Sequence, residues 1–371
     1  MPPRVHIVGG GVIGLSCAWQ LARSGTQVSV VAPAPGRDGA SWVAAGMLAP
    51  VTEVQFGEAG LTALLLEAAG QWKGFARSLE EATGLDIGFN QSGTLTIALD
   101  ASDRAVLDDL LAYQHSLGLT AHRRSPSECR GLIPGLTPAL RGGIEVPGDH
   151  QVDNRAVLAA LLRACRDSGV EFIQGVVSAI EPGPALALQD GDRLSADHVL
   201  LAAGAALPLI GGLEAAGLPE VRPVKGHILR LGAGIDGRST PLLPRTVRGL
   251  VRGRSIYVVP RKDGSVVVGA TMEERGSETS VQAGAVHQLL SDARDILPGL
   301  DEMELLEARS GLRPATPDNT PCVGWTRLEK VAVATGHYRN GFLLAPLTAG
   351  AVTALLHHQP LTPLVEAMTL A

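Results

Sequence analysis

Aromatic side chains make up only 3% of the 371 residues. Stacking platforms for single-stranded nucleic acid need such rings, and a net charge of −6 argues against a polyanion partner. Cysteine is equally sparse. Cys17, Cys129, Cys165 and Cys322 stand far apart with no CxxC pair, so no metal site is expected and the thiols read as reduced structural residues of a cytoplasmic protein. No basic n-region and apolar h-region open the chain, so no secretion signal is expected. Long apolar runs are missing too. The longest stretch free of Asp, Glu, Lys and Arg, Asn340 to Val365, is broken by Pro346, Gly350, His357, His358, Gln359 and Pro360. Nothing approaches the ~20 apolar residues of a membrane span.

What the chain has is glycine and small apolar residues: 45 Gly, 24 Pro and a 45% hydrophobic content. That suits one large domain or two interleaved ones. Val5 to Val8 reads as a buried strand. Val12 to Ser24 carries Leu15, Ala18, Trp19, Leu21 and Ala22 at helical spacing, Gly25 stops it, and Val28 to Val31 is a second strand. This is βαβ order. Helices are expected over Leu61–Ala82, Asp103–Leu117 and Ala156–Ser168, and strands over Thr94–Leu99, Val170–Ile173 and Val199–Ala203. The last is apolar throughout, as a parallel strand buried on both faces should be. After Pro223 the pattern turns antiparallel: Gly226–Leu231, Ile256–Pro260 and Ser265–Ala270, with Asp263-Gly264 predicting a type I′ hairpin turn. Val331–Ala334 returns to an apolar strand, followed by a glycine-rich turn and a helix over Leu344–His357. The implied architecture is α/β: a doubly wound, Rossmann-like nucleotide-binding domain (1–80, 148–218 and 318–371) interleaved with an α+β antiparallel-sheet substrate domain (81–147 and 219–317).

Chemistry concentrates in a few segments. Gly9-x-Gly11-x-x-Gly14 sits between strand and helix, where glycines permit a tight turn, close approach of a pyrophosphate and close helix–strand packing. Such fingerprints usually have an acid about 20 residues on that bonds a ribose hydroxyl. Ala32 and then Pro33 stand there instead. Three explanations are open at this point: a false fingerprint, a 2′-phosphorylated nucleotide with Arg37 nearby, or a flavin bound without that contact. Ala40 to Met47, ASWVAAGM, reads as a loop of small residues leaving room for a ligand. Gly311 to Pro321 places Arg313, a rigid fork for a carboxylate, in a proline-rich turn. Tyr257 begins a hairpin. In Gly336 to Pro346, GHYRNGFLLAP, a turn aims a helix N-terminus where it can stabilise negative charge.

Together these segments resemble the D-amino-acid oxidase family of flavoproteins, and within it the glycine oxidase branch. The resemblance rests on VGGGVIG, on AAGML at Ala44–Leu48, PVKG at Pro223–Gly226, YVVPRKDGSVVVGATM at Tyr257–Met272, GLRP at Gly311–Pro314, and GHYRNGFLLAP. It implies FAD, held by Gly9, Gly11, Val12, Ile13, Gly14, Ala32, Pro33, Ala40, Ser41, Ala45, Gly46, Met47, Val177 (against adenine), Gly204 and His337 to Leu343, that is His337, Tyr338, Arg339, Asn340, Gly341, Phe342 and Leu343. Arg313 matches the arginine that holds the substrate carboxylate, Tyr257 the assisting tyrosine and Arg339 a second substrate-site arginine. No side chain is expected as acid or base, since the family's chemistry is hydride transfer to flavin N5. The resemblance also implies oxidation of glycine, sarcosine or small D-amino acids with O2 as acceptor, service to thiamine thiazole synthesis, and a homotetramer. Gly311 stands where the sarcosine-oxidase branch carries its flavin-anchoring Cys, which implies non-covalent FAD. Ala32 departs from the family's usual Glu. The competing expectations are a D-amino-acid dehydrogenase feeding a quinone, an NADPH-dependent oxidoreductase and a flavin-binding sensor.

Overall fold

The structure is a computed structural model describing residues 3–232, 242–366 and 368–369. Parts of the expected segment 219–317 and of both chain ends lie outside these residues. Two large sheets organise the molecule. The first has six strands in the order Cys322–Trp325, Val331–Thr335, His198–Leu201, Arg4–Val8, Gln27–Ala32 and Glu171–Gln174. All its pairings are parallel except that of Cys322–Trp325 with Val331–Thr335. Alternation along the strands sends residues to two different cores. Val5, Ile7, Val28 and Val30 pack on the helices Val12–Arg23, Ala59–Thr83, Asn154–Asp167 and Gly341–Leu356. Val8, Val31, Val199 and Leu201 pack on a small antiparallel sheet built from Val177–Glu181, Ala185–Leu188 and Arg193–Ser195. With both faces covered, these strands carry near-continuous apolar sequence.

The second sheet has eight strands in the order Glu304–Ala315, Arg222–Gly232, Val266–Gly269, Arg254–Pro260, Thr246–Val251, Thr94–Ala98, Gly143–Val146 and His122–Arg124. One parallel pairing, Thr246–Val251 with Thr94–Ala98, interrupts an otherwise antiparallel ladder. One face packs on the helix Ala283–Ile296 through Leu229, Val258, Val268 and Ile296. The opposite face carries Ile228, Val259 and Val267, which meet Val43 and Ala45. Thus the chain between residues 39 and 48 runs between the two sheets. Among the described residues no helix is long and apolar enough to cross a membrane.

Four local expectations change. Arg313 lies within the long strand Glu304–Ala315 and not in a proline-rich turn. Pro314 is tolerated there because this strand is the sheet's edge, and it sits opposite Pro223 near the start of the neighbouring strand. The Asp263-Gly264 hairpin is not type I′. Only Gly264 has positive φ (86°), Gly264 N–H bonds the Arg261 carbonyl at 3.1 Å, and Arg261 N–H bonds Ser265 O at 2.8 Å. This is a three-residue loop with glycine in the left-handed region. Residues 40–47 are not all loop: Gly39–Val43 is a short helix capped by the Asp38 carboxylate. Finally, the helix expected from Leu344 begins at Gly341. It is buried nearly all round, so its start has no polar edge for periodicity to find.

Candidate active site

The nucleotide end grows out of the first strand. Gly9 leaves it at φ 117°, and a Cβ there would strike the Ala202 carbonyl. A Cβ on Gly14 would strike the Gly9 carbonyl oxygen, so the helix Val12–Arg23 can pack on its strand only without one. Ser41 Oγ accepts from Val12 N–H at 3.0 Å and ties this helix to the segment between the sheets. From here a cavity of about 1100 Å³ extends to the inner face of the second sheet. Gly9, Gly11, Val12, Ile13, Ala32, Pro33, Val177 and Gly204 line its first end; residues 40, 41, 45–47 and 337–342 line its middle. Gly14 and Leu343 do not line it. Gly14 acts through packing, and Leu343 lies in the helical core with its carbonyl accepting from Trp72 Nε1 at 2.9 Å. The glycine cradle, a helix N-terminus and a long cavity walled by small residues fit a dinucleotide as large as FAD. Asp38 lines the nucleotide end, whereas Arg37 does not; the one acid there reaches it from the helix cap.

At the far end, sheet register decides which side chains meet. Arg248 pairs with Tyr257, Tyr257 with Gly269, Gly269 with Ile228 and Ile228 with Arg309, so all five positions share one face. Gly226, Gly311 and Arg313 lie on that face at even offsets. The Tyr257 phenol lies over Gly269 and the Arg313 guanidinium over Gly226, filling the space that side chains at these glycines would need. Burial, against the pull of Arg313 and Arg248, pushes the Tyr257 phenol above its ordinary value. It is therefore a protonated donor. Arg313 Nη1 donates to Thr271 O at 3.2 Å and to Lys225 O at 3.5 Å, and among the described residues it meets no carboxylate.

Arg339 also lines the cavity, but its guanidinium is engaged. Its Nε meets Glu53 at 2.6 Å, its Nη2 lies 3.7 Å from Glu58, and the Gln55 amide oxygen is placed to accept from both terminal nitrogens. Glu53 is also paired with Arg248. Burial alone would raise the Glu53 carboxyl, but Arg248 and Arg339 overcome that and hold it at about 2. Behind it, Asp149 accepts from Val51 N–H, Thr52 N–H and Thr52 Oγ1 at 3.0, 3.0 and 2.6 Å, fixing the loop that delivers Glu53. Burial lowers the His337 imidazole to about 3, and its Nε2 pairs with Thr348 Oγ1 at 2.9 Å. His337 is therefore neutral where it lines the cavity. Sequence reading missed Glu53 and Arg248. Arg248 left one weak signal, a lone charge inside the apolar strand TVRGLV; Glu53 left none.

Comparison with known proteins gives the same frame. The family model for FAD dependent oxidoreductases (DAO) matches residues 4–355. The bifunctional protein ThiO/ThiG of Nostoc sp. is 34% identical over 370 residues, covering 98% of this chain but 54% of that protein. The chain thus spans about half the length of such bifunctional relatives. Glycine oxidase from Geobacillus kaustophilus is 31% identical over 360 residues, covering 96% of this chain and 93% of that one. A crystal structure of glycine oxidase from the same organism superposes with a TM-score of 0.90 at 30% identity, over 100% of this chain and 99% of that one. With the family model spanning nearly the whole chain and a cavity that fits the cofactor, the chain belongs to the DAO family of oxidoreductases and FAD is its cofactor.

Proposed function

We propose that the protein is an oxidase of glycine and other small amino acids, sarcosine and small D-amino acids among them. The products are the imine, then the 2-oxo acid and the released amine, which is ammonia from glycine and the primary D-amino acids and methylamine from sarcosine, with O2 reduced to H2O2. Supply of the glycine-derived imine to thiamine thiazole synthesis is the matching role. The observation that carries this reading is the pairing of Arg313, whose Nε and Nη2 have no acceptor among the described residues, with the protonated phenol of Tyr257 on the second-sheet side of the cavity. A planar fork beside a hydroxyl donor is suited to a carboxylate.

FAD, when bound, supplies the electron acceptor. The chain's own contribution is positioning: Arg313 and Tyr257 hold the carboxylate so that Cα faces the middle of the cavity. No side chain serves as a base, because Glu53 is ion-paired on both oxygens and His337 is neutral with its imidazole far below the usual range. The substrate's ammonium therefore gives its proton to solvent before oxidation. Gly311 supports non-covalent FAD: a Cβ there would press on Val43 at 3.0 Å.

The test is a peroxide assay of the yellow protein with glycine, sarcosine, D-alanine and D-proline. Peroxide should equal the substrate consumed. Turnover that requires a dye or quinone would replace this reading with a dehydrogenase.

A further inference from the structure

Arg248 repeats the situation of Arg313 on the other side of Tyr257. It stands directly opposite Tyr257 in the antiparallel ladder, on the face that carries Arg313. Its side chain is 13% exposed and lines the cavity. Only its Nη1 is engaged, by Glu53, just as only Nη1 of Arg313 is engaged, by two carbonyls. In each guanidinium the remaining pair is Nε and Nη2, the side-on edge that takes a carboxylate through two parallel hydrogen bonds. Among the described residues no acceptor meets either edge. The site thus presents two vacant forks flanking one phenol.

A single small carboxylate meets one fork and the phenol. With glycine bound, the Arg248 edge, on a side chain only 13% exposed, would be left without a partner, which costs binding energy. Glu53 does not answer for it: its second oxygen is committed to Arg339, and Asp38, the other carboxylate lining the cavity, lies at the nucleotide end. We propose that this site takes amino acids bearing a second carboxylate, one held by Arg313 and Tyr257 and the other by Arg248. The second group sits either on the amine nitrogen, as in iminodiacetate, or on the carbon chain, as in D-aspartate. This rests on the carboxylate-site reading above.

The test uses pairs that differ only in the second acid. In the holoenzyme, iminodiacetate is compared with sarcosine, and D-aspartate with D-alanine, by peroxide production. Thiodiacetate and methylthioacetate, which have sulfur in place of the amine and no amine to oxidise, are compared by their perturbation of the flavin absorbance. Thiodiacetate should bind at least about tenfold more tightly than methylthioacetate, as one charge-assisted fork requires. Arg248→Gln and Arg248→Lys should pull that ratio towards one, Lys because an ammonium lacks the fork. The better diacid of the two substrate pairs tells whether the second group rides on nitrogen or on carbon. Equal affinity for the two thioethers in the wild type overturns the proposal and leaves the oxidase reading standing. So do equal losses for both in the Arg248 variants, since Arg248 would then serve the cofactor or the fold. Failure of every monoacid and diacid to bind or react overturns both readings together.

Discussion

At the nucleotide end of the cavity the walls are backbone and small side chains: the Gly9–Gly14 turn, Ala32, and the segment from Ala40 to Met47. At the proposed substrate end they are long charged side chains, Glu53, Arg248, Arg313 and Arg339, brought together from four separate stretches of chain. One end works because atoms are missing. The other works because particular atoms are held in place. A backbone cradle has no tolerance for added volume, and its failure is a failure of packing. A side-chain clamp can lose a member while its sheet stays folded, and its failure is a failure of recognition.

The sharpest way to break this comparison is Gly14→Ala. Gly14 does not line the cavity, yet its new methyl would collide with the Gly9 carbonyl, and backbone cannot yield as a side-chain tip does. The variant should lose its flavin almost completely, or fail to accumulate in soluble form. The ratio of flavin to protein absorbance reads this directly. Full FAD occupancy would show that the helix and strand can part without opening the nucleotide end, and the contrast would collapse.

Arg313→Ala tests the other end and should do the opposite. FAD should remain bound, since Arg313 sits on the second sheet away from the glycine turn. Truncating a charged partner in a closed site costs about 2–5 kcal/mol, so kcat/KM for glycine should fall roughly 30- to 5,000-fold. Most of that loss should appear in KM. Arg313→Lys should be nearly as poor. Near-normal kinetics in either variant would move carboxylate recognition to Arg339 or Arg248.

The same contrast explains what the sequence made legible. The nucleotide end is local: the three fingerprint glycines fall within six residues, with a strand before and a helix after, so a short stretch of sequence points to it. The buried parallel strands were legible because burial on both faces writes a continuous apolar run, as in Val199–Leu201. The substrate end is assembled by register. Arg248 meets Glu53 across 195 positions of chain, and no local pattern encodes that meeting. Arg313 and Tyr257 were reached through resemblance, and even then proline misdirected the secondary structure around Arg313, because local composition does not reveal that Glu304–Ala315 is an edge strand. The hairpin at Asp263-Gly264 was located but mistyped. Asp-Gly serves both a two-residue turn and a three-residue loop, and the choice is made by the pairing of Arg261 with Ser265.

Ala32 offers the finest test, because there a side chain can be added to the end that otherwise rejects them. Ala32 closes the second strand, is 5% exposed and lines the cavity. Its Cβ faces the glycine turn, 3.2 Å from where a Cβ on Gly10 would lie. A Glu at this place would extend from the cavity wall beside the glycine turn. A hydrogen bond to a charged group contributes about 1.5–3 kcal/mol. Part of that is offset here by repulsion from Asp38 on the same wall, so Ala32→Glu should tighten FAD by up to roughly tenfold in Kd. The reacting end lies at the far side of the cavity, so kcat should be unchanged. Asp38 also decides the alternative. Its carboxylate already accepts Gly39 N–H at 2.6 Å and has a second oxygen to offer. If that oxygen bonds the ribose, Ala32→Glu is neutral and Asp38→Ala weakens FAD instead. The two substitutions, measured by FAD titration of apoprotein, assign the ribose contact to one position or the other. Weaker FAD binding in Ala32→Glu with no effect of Asp38→Ala would refute both assignments, and would mean that this wall keeps its room for a group other than a carboxylate.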